Sequence, residues 1–252
     1  MTTLTDTRTL TDRALAACAD RALHAARTMN RPHRLDADLA VAWQGERGFY
    51  TNLAYALQAP DDWDDLVGRV DATVPAGRPA TLVSAGGTPD LSARGWHLVG
   101  HPPLMVLAAG GTGPAVPAEL TITEVVDEVG LEVFERTLVD SYPDPTMQPY
   151  AFGCFTDGRV LGGPTRLFTG SVAGRPVATA AGHVAEGVCA VEMVATAGSA
   201  RGRGYGAAVT WAAGALDPSV PAVLFASDLG RPVYEQLGYV AVSRWTIWHR
   251  PA

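Results

Sequence analysis

The stretch Val191-Glu-Met-Val-Ala-Thr-Ala-Gly-Ser-Ala-Arg-Gly-Arg-Gly-Tyr-Gly-Ala-Ala constrains this chain more than any other. An apolar strand runs into a glycine-rich turn, and the turn opens an Ala-rich helix. The first N–H groups of a helix lack partners within it and carry the positive end of its dipole, and glycine lets an anion approach them closely. Residues 201–206 are therefore shaped for a diphosphate. The turn is not a Walker A loop, which needs Lys: the 19 basic residues of the chain are all Arg. Ser227-Asp228 at the end of the next strand keeps a dinucleotide fold in view, but the glycines here are spaced one residue apart, without the third glycine at the fingerprint's spacing.

The surrounding pattern alternates helices and strands. Leu10 to Met29 carries apolar residues at helical spacing, with Thr11 or Asp12 as a cap. Short strands are expected at Leu39 to Trp43 and Phe49 to Leu57, then a helix from about Pro60 to Val74 whose Asp61, Asp62, Asp64 and Asp65 suit its positive end. A strand at Ala80 to Ala85 leads through a turn to an apolar segment ending near Ala108. Residues 109–118 have the composition of a linker.

After it the pattern restarts. A strand at Leu120 to Val126, a helix around Glu128 to Tyr142, a Pro-rich loop from Pro143 to Pro149, and strands at Arg166 to Ser171, Pro176 to Ala185 and Val188 to Thr196 precede the glycine turn. The helix to about Leu216, a strand at Ala222 to Ala226, a helix at Arg231 to Leu237 and a terminal strand to Trp248 complete an α/β layout. The division expected is 1–110, a linker at 111–118, and 119–252. Arg94-Gly95-Trp96 before a strand echoes Leu237-Gly238-Tyr239 before the last strand, the trace of an internal repeat. The first half has no Gly-rich phosphate turn.

With 47% hydrophobic and 18% charged residues among 252, the chain has the composition of a globular protein. A net charge of −7 argues against general binding to nucleic acid or anionic membranes. Cys18, Cys154 and Cys189 show no paired spacing for zinc or disulfides, which points to a reducing cytoplasm. Neither a leader pattern nor a run of spanning length is present in the sequence.

At the glycine turn the sequence resembles the GNAT superfamily, whose signature is Gln or Arg, two residues, Gly, one residue, then Gly or Ala. Arg201, Gly204 and Gly206 fill it. A second landmark, Ala226-Ser-Asp-Leu-Gly-Arg-Pro-Val-Tyr-Glu-Gln-Leu-Gly-Tyr239, is similar to the family's later motif, with a polar residue seven positions before a Tyr that is followed by Leu-Gly and an aromatic. The resemblance covers about residues 119 to 250 and reaches the first half only loosely.

It implies a mixed, mostly antiparallel, splayed sheet flanked by helices, preceded by a smaller, degenerate half of the same kind. It also implies acyl transfer from acetyl-CoA to the amine of a small molecule, with no metal. Backbone groups of Met193, Val194, Ala195 and Thr196 would meet the pantetheine arm and the thioester carbonyl. Arg201, Gly202, Arg203, Gly204, Tyr205, Gly206 and Ala207 would form the diphosphate turn, Ser227 would bond the cofactor or a water, and Tyr234 would protonate the departing thiolate.

Glu192 is the candidate base, since strand alternation puts it on the face of Val194 among apolar neighbours that raise a carboxyl's pKa. His183 is the alternative base. His97 and His101 are four apart, but the surrounding Gly and Pro exclude a regular helix and a zinc-protease motif. Asp140 and Asp144 are candidates for attracting a cationic amine. A donor carried on aminoacyl-tRNA, or an acyl-CoA sensor without turnover, are the competing readings.

Overall fold

The computed structural model describes residues 7–45, 51–142 and 147–252; Asp144 and the start of the strand expected from Phe49 lie outside them. Helix α1 (Thr7–Thr28) precedes strands β1 (His33–Leu35), β2 (Leu39–Trp43) and β3 (Asn52–Ala56). Helix α2 (Trp63–Thr73), β4 (Ala80–Ser84), β5 (His97–Gly100) and β6 (Pro103–Leu107) complete the first half. The second runs β7 (Leu120–Glu124), α3 (Glu128–Ser141), β8 (Thr165–Val172), β9 (Arg175–Ala185), β10 (Val188–Thr196), α4 (Tyr205–Gly214), β11 (Ala222–Phe225), α5 (Arg231–Gln236), β12 (Val240–Arg244) and β13 (Thr246–Arg250).

The strands form two mixed sheets, in the orders β1-β2-β3-β4-β13-β5 and β12-β6-β11-β10-β9-β8-β7. Each sheet thus takes one strand from the other half: β6 lies between β11 and β12, and β13 between β4 and β5. The single terminal strand expected from the sequence is divided at Trp245 for this reason. The two crossings meet there, with Trp245 N donating to Pro102 O at 3.0 Å and Arg244 Nη1 donating to His101 O at 2.8 Å. Gly95 and Gly238 both adopt left-handed φ, 78° and 92°, before the buried aromatics Trp96 and Tyr239, so the repeat legible in the sequence is also a repeat of backbone geometry.

Helix α1 is buried on more than the one stripe an amphipathic surface helix presents. It packs in one cluster with Ala40, Leu53 and Val83 of the first sheet and Val188, Ala190 and Val223 of the second. Small residues permit this: Ala14, Ala17, Ala19, Ala22 and Ala26 let both sheets approach the helix closely. On the far face of the first sheet, α2 buries Leu66, Val67 and Val70 against β2 and β3. On the second sheet, α4 covers one face and α3 the other. Among the described residues, no helix is long and apolar enough to cross a membrane.

A polar chain also joins the halves. His183 is fully buried, with Nε2 3.0 Å from Asp20 Oδ2 of α1 and Nδ1 2.8 Å from Thr165 Oγ1 of β8. A carboxylate only accepts, so Nε2 carries the proton and the Thr165 hydroxyl donates to Nδ1. Burial pulls the imidazole down to about 4, against the hydrogen bond to Asp20.

The folded pKa lies below the unfolded one, so the unfolded chain binds more protons between about pH 6.5 and 4, and stability falls as pH drops through that window. The contribution is of order 3 kcal/mol, at about 1.4 kcal/mol per pKa unit. Urea unfolding of His183→Gln should show lower stability than the parent at pH 7 and a shallower loss between pH 6.5 and 4. Equal slopes for the two proteins would remove His183 from the acid response.

Candidate functional site

The site begins where two strands part. β10 and β11 pair in parallel at only two positions, Cys189 with Ala222 and Ala190 with Val223. Beyond them β11 stays paired with β6, and β10 stays paired with β9, while the gap between β10 and β11 opens. The corresponding parallel pair of the first half, β3 with β4, holds at four positions.

On the open side, β10 carries one extra residue between Glu192 and Ala195 relative to β9. Met193 takes up the irregularity with φ 54°, a left-handed conformation that costs a side-chain-bearing residue about 1–3 kcal/mol. Thr179 Oγ1 donates to Met193 O at 2.9 Å and holds the bulge.

The bulge also corrects the alternation expected from the sequence. Val194 packs with the α4 cluster, while Met193 and Ala195 belong with α3. Glu192 faces α1, where its Oε2 lies 2.6 Å from Nε of the buried Arg21. Glu192 and Val194 are therefore on opposite faces.

The turn after β10 leads into α4 with no side chain capping the helix. Its N-cap is Gly204 at φ 81°, with no acidic residue in the first turn. Gly202 has φ 75°. Gly206 is needed for a different reason: a Cβ there would stand 2.8 Å from Thr196 Oγ1. Uncapped N–H groups at a helix start flanked by glycines fit an anion such as a diphosphate.

Not every residue of the turn faces outward. Tyr205 is buried, and its hydroxyl donates to Glu119 Oε1 at 2.7 Å. Arg203 and Ala207 remain at the surface or half-buried. The Arg201 side chain turns back onto the protein, with Nε donating to Thr196 O at 3.1 Å and Nη2 donating to Ser141 O at 3.2 Å.

Tyr234 comes from α5, a short helix with Pro232 in its first turn. Its ring is buried 6.0 Å from that of Tyr239, and Gly230 makes room, since a Cβ there would be 2.9 Å from the Tyr234 ring. Burial first, and then the neighbouring Tyr142, raise the phenol well above its usual range, so it is protonated at neutral pH. Ser227 is exposed, and its Oγ accepts from Gly230 N at 3.2 Å, which fixes the entry to α5.

The sequence reading missed three charged contributors, of which Arg21 and Glu135 are buried and Asp20 is partly exposed. Arg21 and Asp20 come from α1, and Arg21 could have been flagged as a charge on an otherwise apolar helix face. Glu135 of α3 is fully buried and accepts from the N–H groups of Gly153, Phe155 and Thr156 at 2.7, 2.9 and 3.0 Å, which ties that loop to the helix beside the bulge. Asp140 is exposed and receives only a long contact from Gln148 Nε2, at 3.5 Å. His97 and His101 do not converge: His101 Nδ1 meets Thr246 Oγ1 at 3.3 Å, while His97 sits opposite His249 in the sheet. Among the described residues no group of three or more His, Cys, Asp or Glu is placed to hold a metal ion.

No protein-family model and no curated protein matches the sequence. Solved structures do. A GCN5-related N-acetyltransferase from Kribbella flavida matches with a TM-score of 0.62 at 23% identity, over 93% of this chain and 96% of that one. A GCN5-related N-acetyltransferase from Sphaerobacter thermophilus matches with a TM-score of 0.56 at 14% identity, over 95% and 94%. A GCN5-related N-acetyltransferase-like protein from Streptococcus suis gives 0.52 at 14% identity, over 94% and 99%. The chain has the fold of the GCN5-related N-acetyltransferases, and the likeness extends across both of its halves.

Proposed function

We propose that this chain is an acyl-CoA-dependent N-acyltransferase, with acetyl-CoA as donor and the amine of a small molecule as acceptor. The observation that carries the reading is the gap between β10 and β11 leading to the uncapped, glycine-started α4. Backbone groups of β10 from Met193 to Thr196 accept an extended pantetheine as an added strand. N–H groups of Gly202 to Ala207 hold the diphosphate, and the β10 backbone at the bulge polarises the thioester carbonyl.

The amine nitrogen attacks the carbonyl carbon, the carbon–sulfur bond breaks, and Tyr234 gives its phenolic proton to the thiolate. Much of the acceleration comes from holding the two reactants together. Glu192 is not assigned as the base, because its carboxylate is engaged by the buried Arg21 guanidinium, 2.6 Å away on the α1 side of the strand. We assign the Glu192–Arg21 pair to fastening the bulge to α1, and the amine loses its proton to water.

Calorimetry with acetyl-CoA at two salt concentrations, with thiol release measured against a panel of primary amines, tests the reading. Salt-sensitive binding with amine-dependent release supports it; binding without release from any amine favours a sensor, and no binding moves the donor elsewhere.

Three variants resolve the parts. Gly204→Asp should abolish acetyl-CoA binding, since it puts a carboxylate at the helix start and a side chain at φ 81°; retained affinity would sink the diphosphate assignment. Tyr234→Phe should bind acetyl-CoA normally and turn over about 100-fold more slowly, and an undiminished rate would remove the tyrosine from the mechanism. Glu192→Gln should lower unfolding free energy by about 3 kcal/mol, by leaving a buried guanidinium unpaired. Full stability with a collapsed turnover rate would instead restore Glu192 as the base.

A further inference from the structure

Arg201 fills the first place of the glycine-turn signature, yet its guanidinium points away from the turn. It closes on two carbonyls, Thr196 O at 3.1 Å and Ser141 O at 3.2 Å. Thr196 is the last residue of β10, and Ser141 is the last of α3. The final carbonyls of a helix have no partner within it and carry its negative end, so a guanidinium there satisfies a free acceptor and a charge together. A planar fork reaches two carbonyls from one side chain, which a point-like ammonium does less well.

The two ends belong to different parts of the site. Gly202, adjacent to Arg201, begins the N–H groups assigned to the diphosphate. Tyr142, adjacent to Ser141, packs, as Met193 does, against the α3 cluster, and it bears electrostatically on Tyr234. Beyond the end of α3, Tyr150 donates to Glu135 Oε2 at 3.4 Å, back on the same helix. One guanidinium joins the donor turn to the end of the helix that packs beside the bulge.

We propose that Arg201 is a coupling residue: closing the turn on the donor's diphosphate tightens the C-terminal turn of α3 through Arg201, so that donor binding is felt at the end of that helix. The inference rests on the donor reading above. It assigns the Arg201 side chain to positioning and leaves the diphosphate to the backbone of the turn.

Hydrogen exchange of the intact protein, read over residues 137–142 with and without acetyl-CoA, tests it together with calorimetry. In the parent, acetyl-CoA should slow exchange there about tenfold, within the usual range of coupling between sites. Arg201→Gln should weaken acetyl-CoA binding by less than about fivefold and lose the ligand-dependent slowing; Arg201→Lys should restore part of it. A simply structural side chain would raise exchange equally with and without ligand.

Slowing that persists in Arg201→Gln overturns the coupling. So does a loss of affinity beyond about tenfold with a flattened salt dependence, which would place the guanidinium on a phosphate. If the parent itself does not bind acetyl-CoA, the donor reading falls and this one falls with it, whereas binding without slowing removes the coupling alone.

Discussion

The early end of one parallel strand pair governs the whole site. β10 and β11 stay together at Cys189–Ala222 and Ala190–Val223 and then separate, each keeping a partner on its outer side. A buried strand edge with unpaired N–H and C=O groups is costly, so an edge that opens towards the surface is suited to an extended ligand that completes the ladder. The bulge at Met193 lies on this open stretch of β10, and the glycine turn follows at its end. Bulge, gap and helix start are consecutive along one strand, which is why so few residues suffice to define the site.

The gap is held open by the architecture around it. Because β6 enters the second sheet and β13 enters the first, separating the halves would leave β11 and β4 each with an unpaired edge. The α1 helix adds a second tie, buried between the sheets and linked to β10 by Arg21–Glu192 and to β9 by Asp20–His183. The first half, which lacks a phosphate turn, therefore supports the second through its packing, its strand and its charges.

Local signals in the sequence were legible because their physics is local. Residues 39–43 form a strand and 10–28 a helix where periodicity puts them, and Gly204 and Gly206 sit where backbone freedom and close approach require glycine. What the sequence hid depends on partners far along the chain. Alternation placed Glu192 beside Val194 because one inserted residue in a strand leaves no mark in a pattern of apolar side chains. Its pairing with Arg21, like that of His183 with Asp20, arises only when α1 packs on the second sheet. Arg201 completes a motif by residue type alone, and a motif says nothing of where a long side chain turns.

The contrast between the halves gives an independent argument for where an anion can bind. Both contain a parallel pair joined by a helix: β3-α2-β4 and β10-α4-β11. In the first, the pair stays closed at four positions, and the start of α2 is capped by Asp62, whose carboxylate accepts from Asp64 N, with Asp64 and Asp65 in the first turn. That helix start is satisfied from within, and its three carboxylates repel a phosphate. In the second, the pair opens after two positions, the cap is a glycine, and the first turn has no acid. Strand separation and helix capping are unrelated features, and they change together between the halves: where the gap is closed the N–H groups are satisfied by the chain's own acids, and where it is open they are left for an anion that the chain does not provide.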